Sequence, residues 1–310
     1  MTGRDRPPAP AAALARLGLV VAALCLLVGC AGPATRVPQA VAQAPPTPTA
    51  TPTPPIPARP AAGTRPVTGA PRRASPSQPP GAPSSVRPAP PPGLVVVLDP
   101  GHNGGNADHP EIINKPVDAG LGQRKACNTV GAETVDGYPE HAFNFDVALR
   151  VERLLTGHGV TVLLTRPDDT GVGPCVDVRA EFGNSREADA VISIHADGAP
   201  PSGTGFHVIE AAGAPGGAAV AAATQHLALR VRAAMLAESG FGYATYVAGG
   251  GGLDHRSDLG GLNLATRPSI MVECGNMRNP ADAARMTSPA GRQRVATALA
   301  DGILAALSPG

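Results

Sequence analysis

Three apolar runs in this chain of 310 residues each stop on a residue able to bind a metal or move a proton. Val95-Val96-Val97-Leu98 is broken by Asp99-Pro100-Gly101 and delivers His102. Ala190-Val191-Ile192-Ser193-Ile194 delivers His195. Pro268-Ser269-Ile270-Met271-Val272 delivers Glu273. Short runs rich in Val and Ile read as buried strands. Strands alternating with helices predict an α/β fold with a mainly parallel sheet. In such a sheet the carboxyl ends of the strands share the edge where ligands bind. A parallel arrangement therefore brings His102, His195 and Glu273 to one edge.

The intervening stretches fit that pattern. Phe143, Val147, Val151 and Leu154 recur at helical spacing across 140–155. Pro139 is placed to start this helix, and Gly157 or Gly159 to end it. Val160–Thr165 and Gly205–Ile209 read as further strands. Val176–Glu187, Ala218–Glu238 and Gly291–Leu307 read as helices. Two stretches resist assignment. Residues 103–137 form a long excursion next to the functional edge, and residues 240–262 are glycine-rich and irregular.

Two histidines and a carboxylate are a common catalytic zinc set with one position left for water. A second carboxylate can then take a proton from that water and deliver it to a leaving amine. Glu140, which opens the helix over 140–155, and Glu273 are the carboxylates on offer. Each residue also has a structural reading taken singly. A histidine at a strand end can be a hydrogen-bonded core residue, Glu140 can complement a helix dipole, and Glu273 can cap or pair with a cation.

Charge is partitioned along the chain. The first 93 residues carry nine Arg and one Asp, whereas residues 94–310 carry a net charge of −7. An acidic domain argues against a nucleic-acid partner. Arg4, Arg6 and Arg16 precede an uncharged run from Leu17 to Gly29, which suits the apolar segment of a signal peptide. It ends Leu27-Val28-Gly29-Cys30, which resembles a bacterial lipobox with Cys30 as the lipidated residue. Residues 1–30 are thus expected to be a lipoprotein signal peptide that exports the chain and anchors it to the membrane. Residues 31–93 hold no acid and no aromatic and are dominated by Pro, Ala and Thr. Such a segment cannot bury a core and is expected to be a disordered tether. The catalytic domain is expected over 94–310.

At the level of motifs the chain resembles the zinc-dependent N-acetylmuramoyl-L-alanine amidases. The resemblance rests on Leu98-Asp99-Pro100-Gly101-His102, Glu140-x-x-x-Asn144, Leu164-Thr165-Arg166, Ser193-Ile194-His195-Ala196-Asp197 and Val272-Glu273-x-Gly275. Arg179, Asn184 and Ala188-Asp189 fit the same pattern. Gly-Pro-Cys-Val-Asp (173–177) and Arg-Ser-Asp-Leu-x-Gly-Leu-Asn (256–263) are similar to the short mycobacterial type. The resemblance implies a three-layer sandwich with a twisted sheet of about six strands. It implies His102, Glu140 and His195 as ligands of one Zn2+ and Glu273 as the catalytic glutamate. It also implies peptidoglycan as the substrate, cut between N-acetylmuramic acid and L-alanine of the stem peptide. Cys274 and Asn276 depart from the apolar residues common after that glutamate. A non-catalytic peptidoglycan-binding lipoprotein and a zinc peptidase acting within the stem peptide are the competing readings.

Cys127 and Cys175 are the expected disulfide of an exported chain, and the resemblance implies the same pair. The bond would pin the 103–137 excursion or simply stabilise the fold. Arg256 is a candidate to bind a stem-peptide carboxylate, with a surface or structural ion pair as the competing reading; Asn263 is a weaker candidate for substrate contact and His255 a minor one. Asp99 is expected to orient a metal ligand. Cys274 should point to the sheet face opposite Glu273. The chain is expected to act as a monomer.

Overall fold

A computed structural model describes residue 91, residues 93–247 and residues 249–309. The expected signal peptide, Cys30 and nearly all of the tether lie outside the described residues.

In chain order the elements are β1 (Val95–Pro100), α1 (Pro110–Ile113), β2 (Pro116–Asp118), β3 (Arg124–Ala126), α2 (Glu140–Gly157), β4 (Thr161–Leu164), α3 (Val176–Ser185) and β5 (Ala190–Asp197). They continue with β6 (His207–Ala211), α4 (Ala218–Glu238), β7 (Leu253–Arg256), α5 (Gly260–Asn263), β8 (Ser269–Asn276), α6 (Pro280–Thr287) and α7 (Pro289–Leu307). Six strands form one sheet in the order β4-β1-β5-β8-β6-β7. The strands β4, β1, β5 and β8 are parallel. The pair β6 and β7 runs the other way, with β6 antiparallel to β8. The α/β sandwich read from the sequence is the observed architecture.

The two sheet faces are filled unequally. Even-numbered strand residues such as Val96, Leu98, Ile192, Ile194, Ile270 and Val272 enter the main core with Phe143 and Val151 of α2, Leu227 of α4 and Leu299 of α7. Strand alternation sends their odd-numbered neighbours to the other face. There the apolar packing is a small cluster of Val97, Ala188 and Val191. The remainder of that face belongs to Asp99, Ser193, His195 and Glu273, which line a cavity of about 480 Å³.

Two regions differ from the sequence reading. Residues 103–137 hold α1 and the antiparallel hairpin β2–β3. Residues 240–262 hold β7, whose Leu-Asp-His-Arg sequence lacks an apolar run. As the last strand of the sheet it is ordered by pairing with β6 rather than by propensity. The Cys127–Cys175 disulfide is formed, and it ties the excursion to the loop before α3. Asn103 Nδ2 donates to the Gly173 carbonyl at 3.0 Å, and Asn128 Nδ2 to that of Pro174 at 2.8 Å.

Two buried arginines hold the turn after β1. Arg179 Nη1 donates to Asp99 Oδ1 at 2.7 Å and to the Pro100 carbonyl at 2.8 Å. Its Nη2 reaches the carbonyls of His102 at 2.8 Å and Gly173 at 3.0 Å, and its Nε that of Pro174 at 2.9 Å. Arg166 Nε donates to the Pro100 carbonyl at 2.9 Å and Nη2 to that of Gly101 at 3.4 Å. Removing one partner of a buried ion pair leaves an uncompensated charge. Arg179→Met should therefore cost about 3–5 kcal/mol in urea unfolding, and a loss of less than about 1 kcal/mol would show the pair to be dispensable.

Candidate metal centre

His102 Nε2, His195 Nδ1 and a carboxylate oxygen of Glu140 converge within 4.8 Å of one another. Glu140 Oε1 lies 3.1 Å from His102 Nε2 and 2.9 Å from His195 Nδ1. His102 sits in the turn after β1 with a φ of 59°. A left-handed backbone is uncommon for a non-glycine residue, and here Arg179 fixes it through the His102 carbonyl. His195 lies on β5 in register with Glu273 of β8. Glu140 is the first residue of α2.

The surrounding groups orient these three. The Thr129 carbonyl lies 3.0 Å from His102 Nδ1, so the Nδ1–H tautomer donates there and leaves Nε2 free to bind a cation. Glu140 Oε1 accepts the Ala196 amide at 3.1 Å and Oε2 the Ala132 amide at 2.7 Å. Asn144 Nδ2, one turn along α2, lies 3.3 Å from both Glu140 Oε1 and the Gly101 carbonyl. Burial alone would raise the Glu140 carboxyl, yet the two imidazoles hold it well below the usual carboxylate range. Two imidazoles and a carboxylate brought together in this way form a donor set that could hold a divalent metal.

Two glycines make room for this packing. A Cβ on Gly101 would fall 2.1 Å from the His195 ring. Gly131 has a φ of +92°, and a Cβ there would sit 2.8 Å from His102 Cδ2 and 2.9 Å from Glu140 Oε2. Gly131, Thr129 and Ala132 belong to the excursion, so the sequence reading did not find them.

Glu273 lines the same cavity. Burial, then the neighbouring charges of Glu140 and Asp197, push its carboxyl well above the usual range. Its Oε2 is buried without a protein hydrogen-bond partner.

Asp99, Asn263 and Arg256 are each engaged with other protein groups. Asp99 accepts Thr165 Oγ1 at 2.6 Å, Arg179 Nη1 at 2.7 Å and Ser193 Oγ at 2.7 Å. Asp99 therefore acts on His102 only through Arg179, which also donates to the His102 carbonyl, whereas Thr129 contacts the His102 ring itself. Asn263 is buried and donates to the carbonyls of Ala119 at 3.0 Å and Ser257 at 2.9 Å. That anchors the β2–β3 hairpin and leaves no amide N–H for a ligand. Arg256 closes a bidentate fork on Asp258 at 2.8 Å for each contact, and that fork is the geometry a substrate carboxylate would need. His255 lies 3.7 Å from Glu210 and is not among the residues lining the cavity. Cys274 is a buried free thiol in the main core, on the face opposite Glu273.

Residues 96–305 match the family model described as N-acetylmuramoyl-L-alanine amidase. An N-acetylmuramoyl-L-alanine amidase of Mycobacterium tuberculosis is 46% identical over 210 residues, covering 68% of this chain and 85% of the relative. The solved amidase of Mycobacterium smegmatis superposes with a TM-score of 0.66 at 47% identity, covering 70% of this chain and 97% of its own. That of Mycobacterium abscessus gives 0.66 at 48% identity, covering 70% and 100%.

The two close approaches at Gly131 yield a direct test. Gly131→Ala should weaken divalent-metal binding at these three residues about 10–100-fold, measured by competition with a chromophoric chelator. Wild-type affinity in that variant would show that the excursion does not shape the site.

Proposed function

The chain belongs to the N-acetylmuramoyl-L-alanine amidase family, and we propose that it is a zinc-dependent peptidoglycan hydrolase cutting the amide between N-acetylmuramic acid and L-alanine of the stem peptide. One observation carries this reading: three metal donors converge beside a second, buried carboxylate in one cavity.

His102 Nε2, His195 Nδ1 and the Glu140 carboxylate would hold the ion. Two imidazoles and one carboxylate suit zinc and leave a coordination position for a non-protein ligand. When bound, the ion acts as a Lewis acid, making water more acidic and offsetting charge that develops on the scissile carbonyl oxygen. The chain's own residues supply the rest. Glu273, facing the cavity, takes the proton of the attacking water and returns it to the departing nitrogen of L-alanine. Its raised proton affinity suits a group that must accept a proton and hold it between those two steps. Glu140, held ionised, cannot take that role. Asn144 and Thr129 keep the ligands aimed.

The enzyme acts on the cell wall. We assign residues 1–30 as a lipoprotein signal with Cys30 lipidated, residues 31–93 as a tether and residues 94–310 as the catalytic domain. The uncharged run ending in Cys30 and the acid-free Pro-rich segment support this assignment. Among the described residues no helix is long and apolar enough to cross a membrane.

Digestion of purified muropeptides should release intact stem peptide from the sugar, seen by mass spectrometry, and a chelator should abolish it. Cleavage inside the peptide would favour a stem-peptide peptidase, and no cleavage by zinc-replete protein a binding module. Glu273→Gln should retain zinc and lose about 10²–10⁴-fold in kcat; a near-normal rate would remove Glu273 as the base. In cells, palmitate should label the wild type and spare Cys30→Ala, and equal labelling of both would refute the anchor.

A further inference from the structure

Two buried side-chain atoms without a protein hydrogen-bond partner sit on neighbouring strands: His207 Nδ1 on β6 and Glu273 Oε2 on β8. The strands are antiparallel, and His207 is directly opposite Glu273. Directly opposed residues project from the same face with Cβ atoms about 4.5–5.5 Å apart. An imidazole and a carboxylate reach each other over that span, directly or through one water.

The other neighbours of Glu273 are committed elsewhere. The Arg256 guanidinium is closed on Asp258. The Tyr246 hydroxyl has a single proton and two acceptors beside it, Asp197 and the Gly205 carbonyl. His207 is 2% exposed and packs edge-on against Tyr246 with ring centroids 5.9 Å apart. Burial lowers the basicity of the imidazole more than Asp197 and Asp254 raise it, which favours the neutral ring. A neutral imidazole has one N–H to donate.

His207 Nδ1 and Glu273 Oε2 do not hydrogen-bond one another in the structure, and we propose that His207 is a positioning residue for Glu273, its Nδ1–H donating to Oε2 once the carboxylate turns about its last torsion, so that the other carboxylate oxygen is held toward the cavity. A carboxylate turns easily about its last torsion. Fixing one oxygen fixes the plane of the group that must meet first the water and then the leaving nitrogen. His207 remains outside the metal ligand set, as its sequence position implies. The proposal rests on the reading of Glu273 as the base.

The test uses the full-length, zinc-loaded enzyme and steady-state kinetics on muropeptides. His207→Phe should lower kcat about 10–100-fold, with KM, zinc content and melting temperature unchanged. His207→Gln, which restores an N–H donor at the same place, should recover most of that loss. In the Glu273→Gln background, His207→Phe should cause no further fall. His207→Leu replaces the Phe variant if the larger ring does not fold. Wild-type kcat in the apolar variant, or equal impairment of the Gln and apolar variants, would overturn the positioning role. Retained activity in Glu273→Gln alone would instead overturn the base assignment, so the two failures are distinguishable.

Discussion

The metal centre depends on how the chain leaves β1. The carbonyls of Pro100, Gly101 and His102 point into the protein, where a buried turn would leave them without donors. Two guanidiniums, from Arg166 before the α3 loop and Arg179 within α3, supply those donors. Arginine suits the task because five N–H groups in a rigid fork can serve several carbonyls at once. Asp99 balances the charge of Arg179 from inside the same strand. The result is a rigid turn that holds His102 in a left-handed backbone and leaves room beside Gly101 for the His195 ring. Stability and function meet in this network, since what satisfies the buried carbonyls also aims the first ligand.

The division of the sheet into two unlike faces follows from the same alternation. β1, β5 and β8 give their even-numbered residues to a dense core under α2, α4 and α7. Their odd-numbered residues face a side that α3 and the single turn of α5 cover incompletely. The chain fills that gap with the 103–137 excursion, fastened by the Cys127–Cys175 bond and by Asn263. The excursion contributes Thr129, Gly131 and Ala132 directly to the ligand cluster. It is therefore a wall of the site as well as an attachment.

Strand-end residues were legible because short apolar runs and the abrupt breaks that end them are local signals. His102, His195 and Glu273 announce themselves in the sequence, and the structure brings them to one edge with Glu140. The residues that orient them were not legible. Thr129 and Gly131 act through a loop whose path is set by contacts to the Gly173–Pro174 segment, far away in sequence. Asp99, Asn263 and Arg256 carried side chains suited to ligand or substrate contact. What decided their roles was which partner lay nearest in the fold: Arg179, Ala119 and Asp258. The strand β7 was missed for a similar reason, since its order comes from pairing with β6.

Glu140 and Glu273 show how one cavity assigns different duties to the same side-chain chemistry. Both are buried, and burial alone would raise both. Glu140 receives two backbone amides and faces two imidazoles, so its charge is stabilised from every side. Glu273 faces Glu140 and Asp197, so its charge is opposed. Environments that drive two carboxyls apart in this way separate an electrostatic role from a proton-transfer role. The fixed charge belongs to the group that must bind a cation without titrating. On the proposed mechanism the opposed charge belongs to Glu273, the group that would take up a proton and release it.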